Sequence, residues 1–547
     1  MKILEVKNFS FRYKNISRNV LEDVTFTASE GELILVCGAT ACGKTTLLRS
    51  LKPELSLYGE KNGEIAFCGE PYEKLDERTS AAQIGYVTQR PENQVVTDTV
   101  RSELCFGGES LGLEQNIIRR QAAESAAYFG LEKLLDQRTS ELSGGQRQLL
   151  NLASVMAVNP KLLILDEPTA QLDPIAAGDF IRTLYRITRE LAVTVIIAEH
   201  RFEELLPVAD KVLLLENGRV SVFDTPQNAA EKLSQSSGIR PSLPAGLQVC
   251  SSFSLPQPHR FPLTLGKSRE AISSCFDKKI TSLTPEKRQL SDDAAIELKN
   301  VFFTYGGADV ITNASLTIQK GEVFSLLGSN GSGKSTLMSL ISGVEKPYRG
   351  KVYVNGKNLR KYRSHELYPE VISMLGQDVQ SSFLHDSVGE ELSFTESTDI
   401  YDFTSLYDMH PYDLSGGQQQ LLAIKKLLKN DPEIVVMDEP TKGLDGSWRD
   451  VIAGIILSLR EQGKTVMLVT HDTELATMVS DRCGIFFDGR VSAVGTPQEL
   501  FTGSLFYTTG AVRISKGIYD GITTTSQLMR ICTENGVREG IIDEQQE

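Results

Sequence analysis

A glycine-flanked loop that ends in a lysine and a hydroxyl residue occurs twice in this sequence, as GATACGKT up to Thr45 and as GSNGSGKS up to Ser335. Because each loop follows an apolar run and opens a helix, its backbone N–H groups and the positive end of the helix dipole can face phosphate groups. Lys44 and Lys334 are placed to contact the β- and γ-phosphates of a nucleotide. The hydroxyls of Thr45 and Ser335 are placed to bind Mg²⁺. The sequence therefore predicts two sites for a magnesium-bound nucleoside triphosphate.

Acidic pairs end two near-continuous apolar runs, LLILDE up to Glu167 and IVVMDE up to Glu439. Such runs are typical of strands that are buried on both faces of a parallel sheet. Ligands bind at the carboxyl ends of such strands, so Asp166 and Asp438 are expected to face the metal. Glu167 and Glu439 come one residue later and are placed to polarise an attacking water as general bases.

Five other landmarks accompany each loop, in the same order in both halves of the chain. They are Tyr13, Gln89, LSGGQ at 142–146, Asp173 and His200 in the first half, and Tyr305, Gln377, LSGGQ at 414–418, Asp445 and His471 in the second. A complete ordered set that occurs twice indicates an internal repeat. We predict a tandem ATPase built from two domains.

The histidine and tyrosine landmarks each have a purely structural alternative. A histidine after an apolar run is often only a strand end, but the chain has six His in all, and His200 and His471 fall at equivalent positions of the repeat. We therefore expect both to contact the γ-phosphate and to sense hydrolysis. Tyr13 and Tyr305 are expected to stack on adenine, and the alternative is that they are core residues near a strand end.

LSGGQ directly before a helix separates the ABC ATPases from other P-loop enzymes, and the sequence resembles that family over roughly residues 1–232 and 294–505. The resemblance implies an α/β protein with two P-loop ABC-type nucleotide-binding domains. Each would have a mainly parallel core sheet, an antiparallel β subdomain and a helical signature subdomain. In the family two domains pair head to tail, so that each ATP lies between the P-loop of one and the LSGGQ of the other. Here we expect the two domains of one chain to pair.

The resemblance also implies the residues of two composite sites. The ATP-binding residues of the first domain would be Tyr13, Gly38, Ala39, Thr40, Ala41, Cys42, Gly43, Lys44, Thr45, Thr46, Ser143, Gly144, Gly145, Gln146 and Asp173. Those of the second domain would be Tyr305, Gly328, Ser329, Asn330, Gly331, Ser332, Gly333, Lys334, Ser335, Thr336, Ser415, Gly416, Gly417, Gln418 and Asp445. Mg²⁺ would be held by Thr45, Gln89 and Asp166 in one site and by Ser335, Gln377 and Asp438 in the other. The catalytic residues would be Glu167, His200, Glu439 and His471.

Composition excludes several other classes of protein. The formal net charge of −14 argues against an extended nucleic-acid surface, which needs a basic patch, and no nucleic acid is expected as a partner. No uncharged apolar run approaches the ~18–20 residues that span a bilayer. The N-terminus alternates like a strand and lacks the apolar core of a signal peptide. We expect a cytosolic protein whose membrane role comes through partner subunits.

The eight cysteines form no CxxC pair, which argues against zinc, iron–sulfur and disulfide frameworks. Cys42 differs from the others because it lies inside the first phosphate loop. A thiol at a helix N-terminus can have a lowered pKa and raised reactivity. The alternative is a small residue that is tolerated there, as Ser or Ala would be.

Offsets between the two copies show where they differ. Gln377 lies 288 residues after Gln89, but Ser415 lies 272 residues after Ser143, so the second copy lacks 16 residues between its glutamine and its LSGGQ. In ABC ATPases this stretch belongs to the helical subdomain that faces the membrane subunits, so the two halves are expected to contact different partner surfaces.

Domain boundaries follow from the repeat and from composition. We expect an ABC ATPase domain at 1–235, a Ser/Pro-rich linker at 236–292, a second ABC ATPase domain with a shortened helical subdomain at 293–505, and a tail at 506–547. The tail is predicted to contain an N-capped helix from Thr525 or Ser526 to Thr533, ending near Gly536.

The sequence around the first glutamine, TQRPENQVVTDTV, resembles the energy-coupling-factor (ECF) importers in its Q-x-P-x-x-Q pattern. Those importers use ATPase pairs to drive uptake of vitamins or of cobalt and nickel ions. The resemblance implies ATP and Mg²⁺ as cofactors and two membrane partners, a transmembrane coupling subunit and a substrate-binding subunit. It places the chain at the cytoplasmic face of the cell membrane, as a peripheral protein.

Two departures and two alternatives accompany this interpretation. The second copy reads GQDVQSSF and lacks the proline pattern, and the first loop has Ala41 where the family usually has glycine. Ala41 could crowd the phosphates or require a backbone angle that glycine tolerates better, which predicts weaker ATP binding at an otherwise competent site. The alternatives are a soluble tandem ABC ATPase of the translation-factor type and the ATPase of another ABC importer.

Overall fold

The computed structural model describes residues 1–14, 18–55, 57–283, 288–393, 401–504 and 507–538. The chain divides into two compact units, Met1–Leu247 and Gln248–Glu547. Each unit contains a four-stranded antiparallel sheet and a six-stranded sheet with a parallel core, together with helices. The predicted fold class of two tandem P-loop ABC domains is thereby confirmed.

Strands of the first unit alternate between apolar and polar residues where one face is exposed and are uniformly apolar where both faces are covered. They are β1 (Lys2–Tyr13), β2 (Leu21–Ser29), β3 (Leu33–Cys37), β4 (Gly59–Phe67), β5 (Glu70–Pro71), β6 (Ile84–Val87), β7 (Leu162–Asp166), β8 (Thr194–Ala198), β9 (Lys211–Glu216) and β10 (Arg219–Asp224). The antiparallel sheet has the order β2-β1-β4-β5, and the core sheet has the order β10-β9-β3-β8-β7-β6. Every residue of β3, β7 and β8 is buried, as expected for parallel strands between helical layers.

Helices of the first unit begin at the phosphate loop and at the ends of the core strands. They are α1 (Lys44–Ser50), α2 (Glu77–Gln83), α3 (Val100–Ser110), α4 (Gln115–Phe129), α5 (Gly144–Met156), α6 (Pro174–Glu190), α7 (Phe202–Leu205) and α8 (Pro226–Gln235), followed by α9 (Ala245–Cys250) at the boundary between the units. α1 follows β3 and α5 begins inside LSGGQ, as the motifs predicted.

The second unit repeats this plan. Its strands are β11 (Ala294–Phe303), β12 (Ile311–Gln319), β13 (Val323–Leu327), β14 (Arg349–Val354), β15 (Lys357–Asn358), β16 (Ile372–Leu375), β17 (Ile434–Asp438), β18 (Thr465–Thr470), β19 (Arg482–Phe487) and β20 (Arg490–Gly495). Its helices are α10 (Leu265–Cys275), α11 (Lys334–Ile341), α12 (Ser364–Leu367), α13 (Val388–Leu392), α14 (Gly416–Leu427), α15 (Gly446–Glu461), α16 (Thr473–Val479), α17 (Pro497–Gly503), α18 (Gly510–Ser515) and α19 (Thr525–Asn535). The sheets have the orders β12-β11-β14-β15 and β16-β17-β18-β13-β19-β20.

Between the glutamine and LSGGQ the two units differ in helix content. The first unit has α3 and α4 there, 11 and 15 residues long. The second has α13, which is five residues long, and the stretch 394–400 lies outside the described residues. The shorter sequence of the second copy thus leaves the described part of that unit with less helix at this position.

The stretch expected to be a linker contains ordered elements. α8 ends at Gln235, α9 follows at Ala245–Cys250, and α10 spans Leu265–Cys275. The predicted tail helix is confirmed as α19, whose N-cap Thr524 accepts a hydrogen bond from the backbone of Gln527. It ends at Asn535 and is followed by the C-cap Gly536, which has a φ of 77°.

Among the residues that the structure describes, no helix combines the length and the apolar character that crossing a membrane requires.

Candidate functional site

Both phosphate loops curl around the ammonium group of their lysine. Lys44 Nζ donates to the carbonyl oxygens of the first two residues of its loop, at 2.9 and 3.2 Å. Lys334 Nζ makes the same two bonds, both at 2.8 Å. The two lysines are only 5% and 6% exposed. A buried cation in a loop of backbone N–H groups is suited to bind phosphate.

The residue three positions before each lysine has a left-handed backbone conformation. Ala41 has a φ of 63°, and its counterpart Gly331 has a φ of 76°. The expectation that Ala41 occupies an angle better suited to glycine is therefore confirmed. A Cβ placed on Gly331 would lie more than 4 Å from any protein atom outside its own neighbours. Since no protein atom would crowd a methyl group at this equivalent position, we attribute the strain at Ala41 to its backbone angle.

Hydroxyl and carboxylate oxygens meet behind each loop. Thr45 Oγ1 donates to Asp166 Oδ1 at 3.1 Å, and Ser335 Oγ donates to Asp438 Oδ2 at 2.8 Å. These hard oxygen donors fit Mg²⁺. In the described part of the chain, no cluster of three or more His, Cys, Asp or Glu side chains could hold a metal ion. A cation here would therefore take the rest of its coordination from nucleotide phosphates and water, as Mg²⁺ does in such sites.

Burial disfavours the ionised forms of Asp166 and Asp438. Burial, and then the neighbouring charge of Glu167, raise the pKa of Asp166 to about 6. Burial likewise raises the pKa of Asp438. A divalent cation between phosphate and carboxylate would favour the ionised form, so these aspartates suit a metal-bound state better than an empty one.

Two predicted residues of the first site converge on the carboxylate of a third. Gln89 Nε2 donates to Glu167 Oε2 at 2.9 Å, and His200 Nε2 lies 3.0 Å from Glu167 Oε1. Glu167 follows β7 with a φ of 46°, which is unusual for a residue with a side chain. Backbone strain of this kind persists at sites where the surrounding structure fixes a side-chain direction. The arrangement holds a carboxylate between an amide and an imidazole, where it can orient water.

The second site has the same carboxylate with a different set of contacts. Glu439 has a φ of 51°, and its Oε2 lies 2.9 Å from His471 Nδ1. Within the described residues, Glu439 Oε1 is buried without a hydrogen-bond partner. Gln377 is exposed, whereas Gln89 of the first unit is half-buried against its glutamate. The second carboxylate therefore presents one oxygen that a water molecule could approach.

Charge keeps the second carboxylate ionised. Burial alone would raise the pKa of Glu439, but the charges of His471 and Lys334 and the hydrogen bonds of His471 outweigh it and hold the pKa below its ordinary value. An ionised carboxylate is the form that a general base needs.

Each LSGGQ motif forms a capping box at a helix start. Gln146 N donates to Ser143 Oγ at 3.3 Å while Ser143 N donates to Gln146 Oε1 at 2.9 Å. Ser415 and Gln418 form the equivalent box on α14. The glycines between them lie in the first turn, where a helix offers its N–H groups no internal acceptor, so this turn can receive an anion.

The remaining predicted residues lie around the loops and helices in matching positions. Tyr13 OH is 3.2 Å from Thr46 Oγ1, and Tyr305 OH is 3.4 Å from Thr336 Oγ1. Both tyrosines therefore lie beside the first turn of the helix that the phosphate loop opens. Asp173 and Asp445 cap α6 and α15, each accepting two backbone N–H groups. The structure thus assigns these aspartates an N-cap role.

Cys42 departs from the reactivity expected of a thiol at a helix N-terminus. Burial raises its pKa, and the nearby charge of Lys44 only partly opposes this effect. The structure thus favours the alternative, a small residue tolerated in the loop, because desolvation of the thiolate outweighs the charge of the lysine.

Glu199 is a residue of the first site that the motifs did not identify. It is 2% exposed, and its two oxygens accept the backbone N–H groups of Thr169 at 2.7 Å and His200 at 3.1 Å. It therefore links the loop after Glu167 to His200. Its sequence signal was a carboxylate at the end of the apolar run VTVIIAEH. The second unit has Thr470 at this position, and there Thr441 Oγ1 donates to Asp472 at 3.2 Å instead.

Comparison with known proteins places this architecture in a family. The ABC transporter family profile matches residues 21–170 and 311–442. A "Putative ABC transporter ATP-binding protein" of Bacillus cereus is 36% identical over 528 residues, covering 93% of this chain and 94% of that one. The "Putative HMP/thiamine import ATP-binding protein YkoD" of Bacillus subtilis is 28% identical over 525 residues, covering 92% and 93%. Archaeal ABCE1 in a model of ribosome-bound Pelota and ABCE1 has a TM-score of 0.60 at 21% identity over 90% of this chain and 79% of that one, which shows the shared fold.

Proposed function

This chain belongs to the ABC transporter family, and we propose that it is the ATP-hydrolysing subunit of an ECF-type importer of a vitamin or a transition-metal ion. It is an ABC-type ATPase with two nucleotide-binding domains. The observation that carries the importer proposal is an apolar groove lined by Thr88, the residue before Gln89, and by Gln94. Similarity to YkoD, which is named for HMP and thiamine import, supports the same substrate class.

The Q-x-P-x-x-Q pattern has a structural role next to this groove. Gln94, its second glutamine, accepts the backbone N–H of Thr88 at 2.9 Å and donates to the carbonyl of Tyr86 at 3.0 Å. The buried Asn151 of α5 donates to the carbonyl of Pro91 at 3.2 Å. These bonds fix the segment that carries Gln89, so that a force applied to it would reach Glu167 through the Gln89 amide.

A groove of 450 Å³ lies between this segment and the helical part of the first unit. Its lining includes Tyr86, Gln94, Val96, Phe106, Val155 and Val158. Phe106 is 39% exposed and Val96 is 65% exposed. An exposed apolar groove of this kind suits the apolar face of a partner helix. In the proposal the partner is the transmembrane coupling subunit, which is joined by a substrate-binding membrane subunit.

Each ATP is proposed to bind between the two domains of the chain. One site would use Lys44, Thr45 and the Asp166–Glu167 pair with LSGGQ of the second domain, and the other would use the equivalent residues of the second domain with LSGGQ of the first. When bound, Mg²⁺ would neutralise phosphate charge at the Thr45–Asp166 and Ser335–Asp438 oxygens. Tyr13 and Tyr305 would stack on adenine.

The protein's own residues account for the rest of the mechanism. Glu167 and Glu439 would accept the proton of the attacking water, and His200 and His471 would orient those carboxylates and contact the γ-phosphate. ATP would close the domain pair and phosphate release would reopen it, so hydrolysis biases a two-state equilibrium. The chain would act at the cytoplasmic face of the membrane as a peripheral subunit.

Affinity purification from the native cells in mild detergent tests the partner assignment. We expect small polytopic membrane proteins to co-purify with the tagged wild-type chain and not with Phe106→Asp. Tyr185→Asp is a matched control, since Tyr185 of α6 is also 39% exposed but lies outside the groove. Recovery of ribosomes without membrane proteins would contradict the importer proposal and favour a soluble ATPase of the translation-factor type.

A further inference from the structure

Two segments distant in sequence form one packed module in the second unit. Residues 264–283, upstream of the ABC domain, lie against residues 507–538, downstream of it. Phe276 pairs with Val537 and Ser282 pairs with Asp520 through β-bridges. The module has its own buried side chains, which include Ile272, Cys275, Phe276, Tyr519, Leu528 and Ile531.

Polar contacts fix the register of the module. The buried amide of Asn535 accepts the N–H of Ile280 at 2.7 Å and donates to the carbonyl of the same residue at 2.9 Å. Arg269 of α10 donates to the carbonyls of Arg513 and Lys516, both at 2.8 Å. A guanidinium at these carbonyls caps the C-terminal end of α18, where unpaired acceptors and the negative end of the helix dipole lie.

The other end of α18 contacts the helix that follows the histidine of the second candidate ATP site. Gly510 N donates to Glu474 Oε1 at 3.1 Å, in the first turn of α16. α16 begins directly after His471 and Asp472, and His471 contacts Glu439. The tail therefore contacts the helix that begins two residues after this histidine.

Apolar packing joins the same elements. Val512 of α18 is 4% exposed and packs in a cluster with Leu327, Ala476, Cys483 and Phe501. Leu327 is the last residue before the second phosphate loop, and Ala476 lies on α16. Val512 thus belongs to one apolar cluster with the last residue of β13, which precedes the second phosphate loop, and with a residue of α16.

We infer that residues 264–283 and 507–538 are a positioning module for the second ATP site, which acts by holding α16, and through it His471, against Glu439. This inference rests on the proposed hydrolysis at that site. If the module has this role, turnover at the second site depends on residues that flank the ABC domain on both sides. The first unit differs at this place. The helix that follows His200 there is α7, which begins at Phe202 and has four residues, compared with seven in α16.

Arg269→Ala and Val512→Ala test the inference, each introduced into two background chains. In the Glu167→Gln chain only the second site keeps its carboxylate, and in the Glu439→Gln chain only the first site keeps it. We expect each module variant to lower second-site turnover about three- to tenfold, as loss of ~1 kcal/mol of positioning implies. First-site turnover and the ATP affinity of both chains are expected to stay within about twofold. Arg269→Lys, which keeps one donor, should restore part of the loss. An equal loss in both chains, or no loss in either, would overturn the inference.

Hydrogen exchange separates this inference from the proposed hydrolysis. In Arg269→Ala we expect faster amide exchange at residues 471–479 and unchanged exchange at residues 200–206, whether or not the second site turns over ATP. Unchanged exchange at residues 471–479 would overturn the positioning role. Absence of turnover in the Glu167→Gln chain, with the expected exchange result, would contradict only the proposed hydrolysis at the second site.

Discussion

Glu199 Oε1 accepts the backbone N–H of Thr169 at 2.7 Å, so a buried carboxylate fixes the loop that leads away from Glu167. The other oxygen of Glu199 accepts the N–H of His200 at 3.1 Å. Burial raises the pKa of Glu199, and the hydrogen bond from the backbone of Thr169 opposes this effect. The first site therefore contains a link between the loop after Glu167 and His200, and the second site joins the equivalent segments through Thr441 and Asp472.

Replacing this carboxylate should slow the first site without weakening ATP binding. In Glu199→Gln the amide can accept only one of the two N–H groups, and a backbone donor left unpaired costs ~1–2 kcal/mol. We expect turnover of the Glu439→Gln chain to fall about tenfold while its ATP affinity changes less than twofold. Steady-state hydrolysis and nucleotide binding measure these quantities. Glu199→Thr, which copies Thr470, serves as control, and full turnover in Glu199→Gln would contradict the positioning role.

Ala41→Gly should strengthen ATP binding at the first site. A non-glycine residue at a φ of 63° is disfavoured by ~1 kcal/mol, and glycine removes that cost from the ordered loop. We expect ATP affinity of the Glu439→Gln chain to rise by up to about fivefold. Gly331→Ala in the Glu167→Gln chain is the reciprocal control and should weaken binding by a similar factor. No change in either chain would show that this angle does not limit binding.

Asp166 should make the nucleotide-free protein less stable as pH rises. Its folded-state pKa of about 6 lies above the unfolded value of about 3.9, so ionisation is more costly in the folded protein. Stability is therefore lost between about pH 4 and 6, by at most ~3 kcal/mol. Thermal unfolding of wild type and Asp166→Asn across this range, without Mg²⁺, measures the effect. We expect the wild type to lose stability relative to the variant as pH rises; a constant difference would contradict the raised pKa.

Alkylation of Cys42 should be slow and should inactivate the first site. Its raised pKa leaves little thiolate at neutral pH, but a group added inside the phosphate loop would block phosphate binding. We expect iodoacetamide to reduce turnover of the Glu439→Gln chain slowly, faster at higher pH, with ATP protecting. Cys42→Ser, which copies Ser332, is the control and should be insensitive. Equal inactivation of the control would assign the effect to another of the eight cysteines.

Short-range chemistry made the fold and most of the site predictable from sequence. Glycine loops, apolar runs ending in Asp-Glu and the repeat order located the strands and helices that bring Gln89, Glu167 and His200 together. The angle at Ala41 followed from its place in the loop. Gln89, Glu167 and His200 converge because their motifs follow strands of a regular parallel sheet, whose strand ends meet at one edge.

Long-range packing was not predictable in the same way. The contact between Arg269 and Lys516 joins residues 247 positions apart, and the Ser- and Pro-rich sequence around it has no periodicity that indicates a partner. The pKa of Cys42 depends on burial, which the loop motif does not encode. Glu199 was not predictable because a single carboxylate at a strand end has no spacing pattern to distinguish it.

Steady-state ATP turnover of four matched chains tests the central claim, that both sites in this single chain hydrolyse ATP. The chains are wild type, Glu167→Gln, Glu439→Gln and the double variant. Because each carboxylate acts at its own site, the account predicts measurable turnover in both single variants and a loss of at least about a hundredfold in the double variant. Absence of turnover in Glu439→Gln alone would contradict it, since the first site would then bind ATP without hydrolysing it.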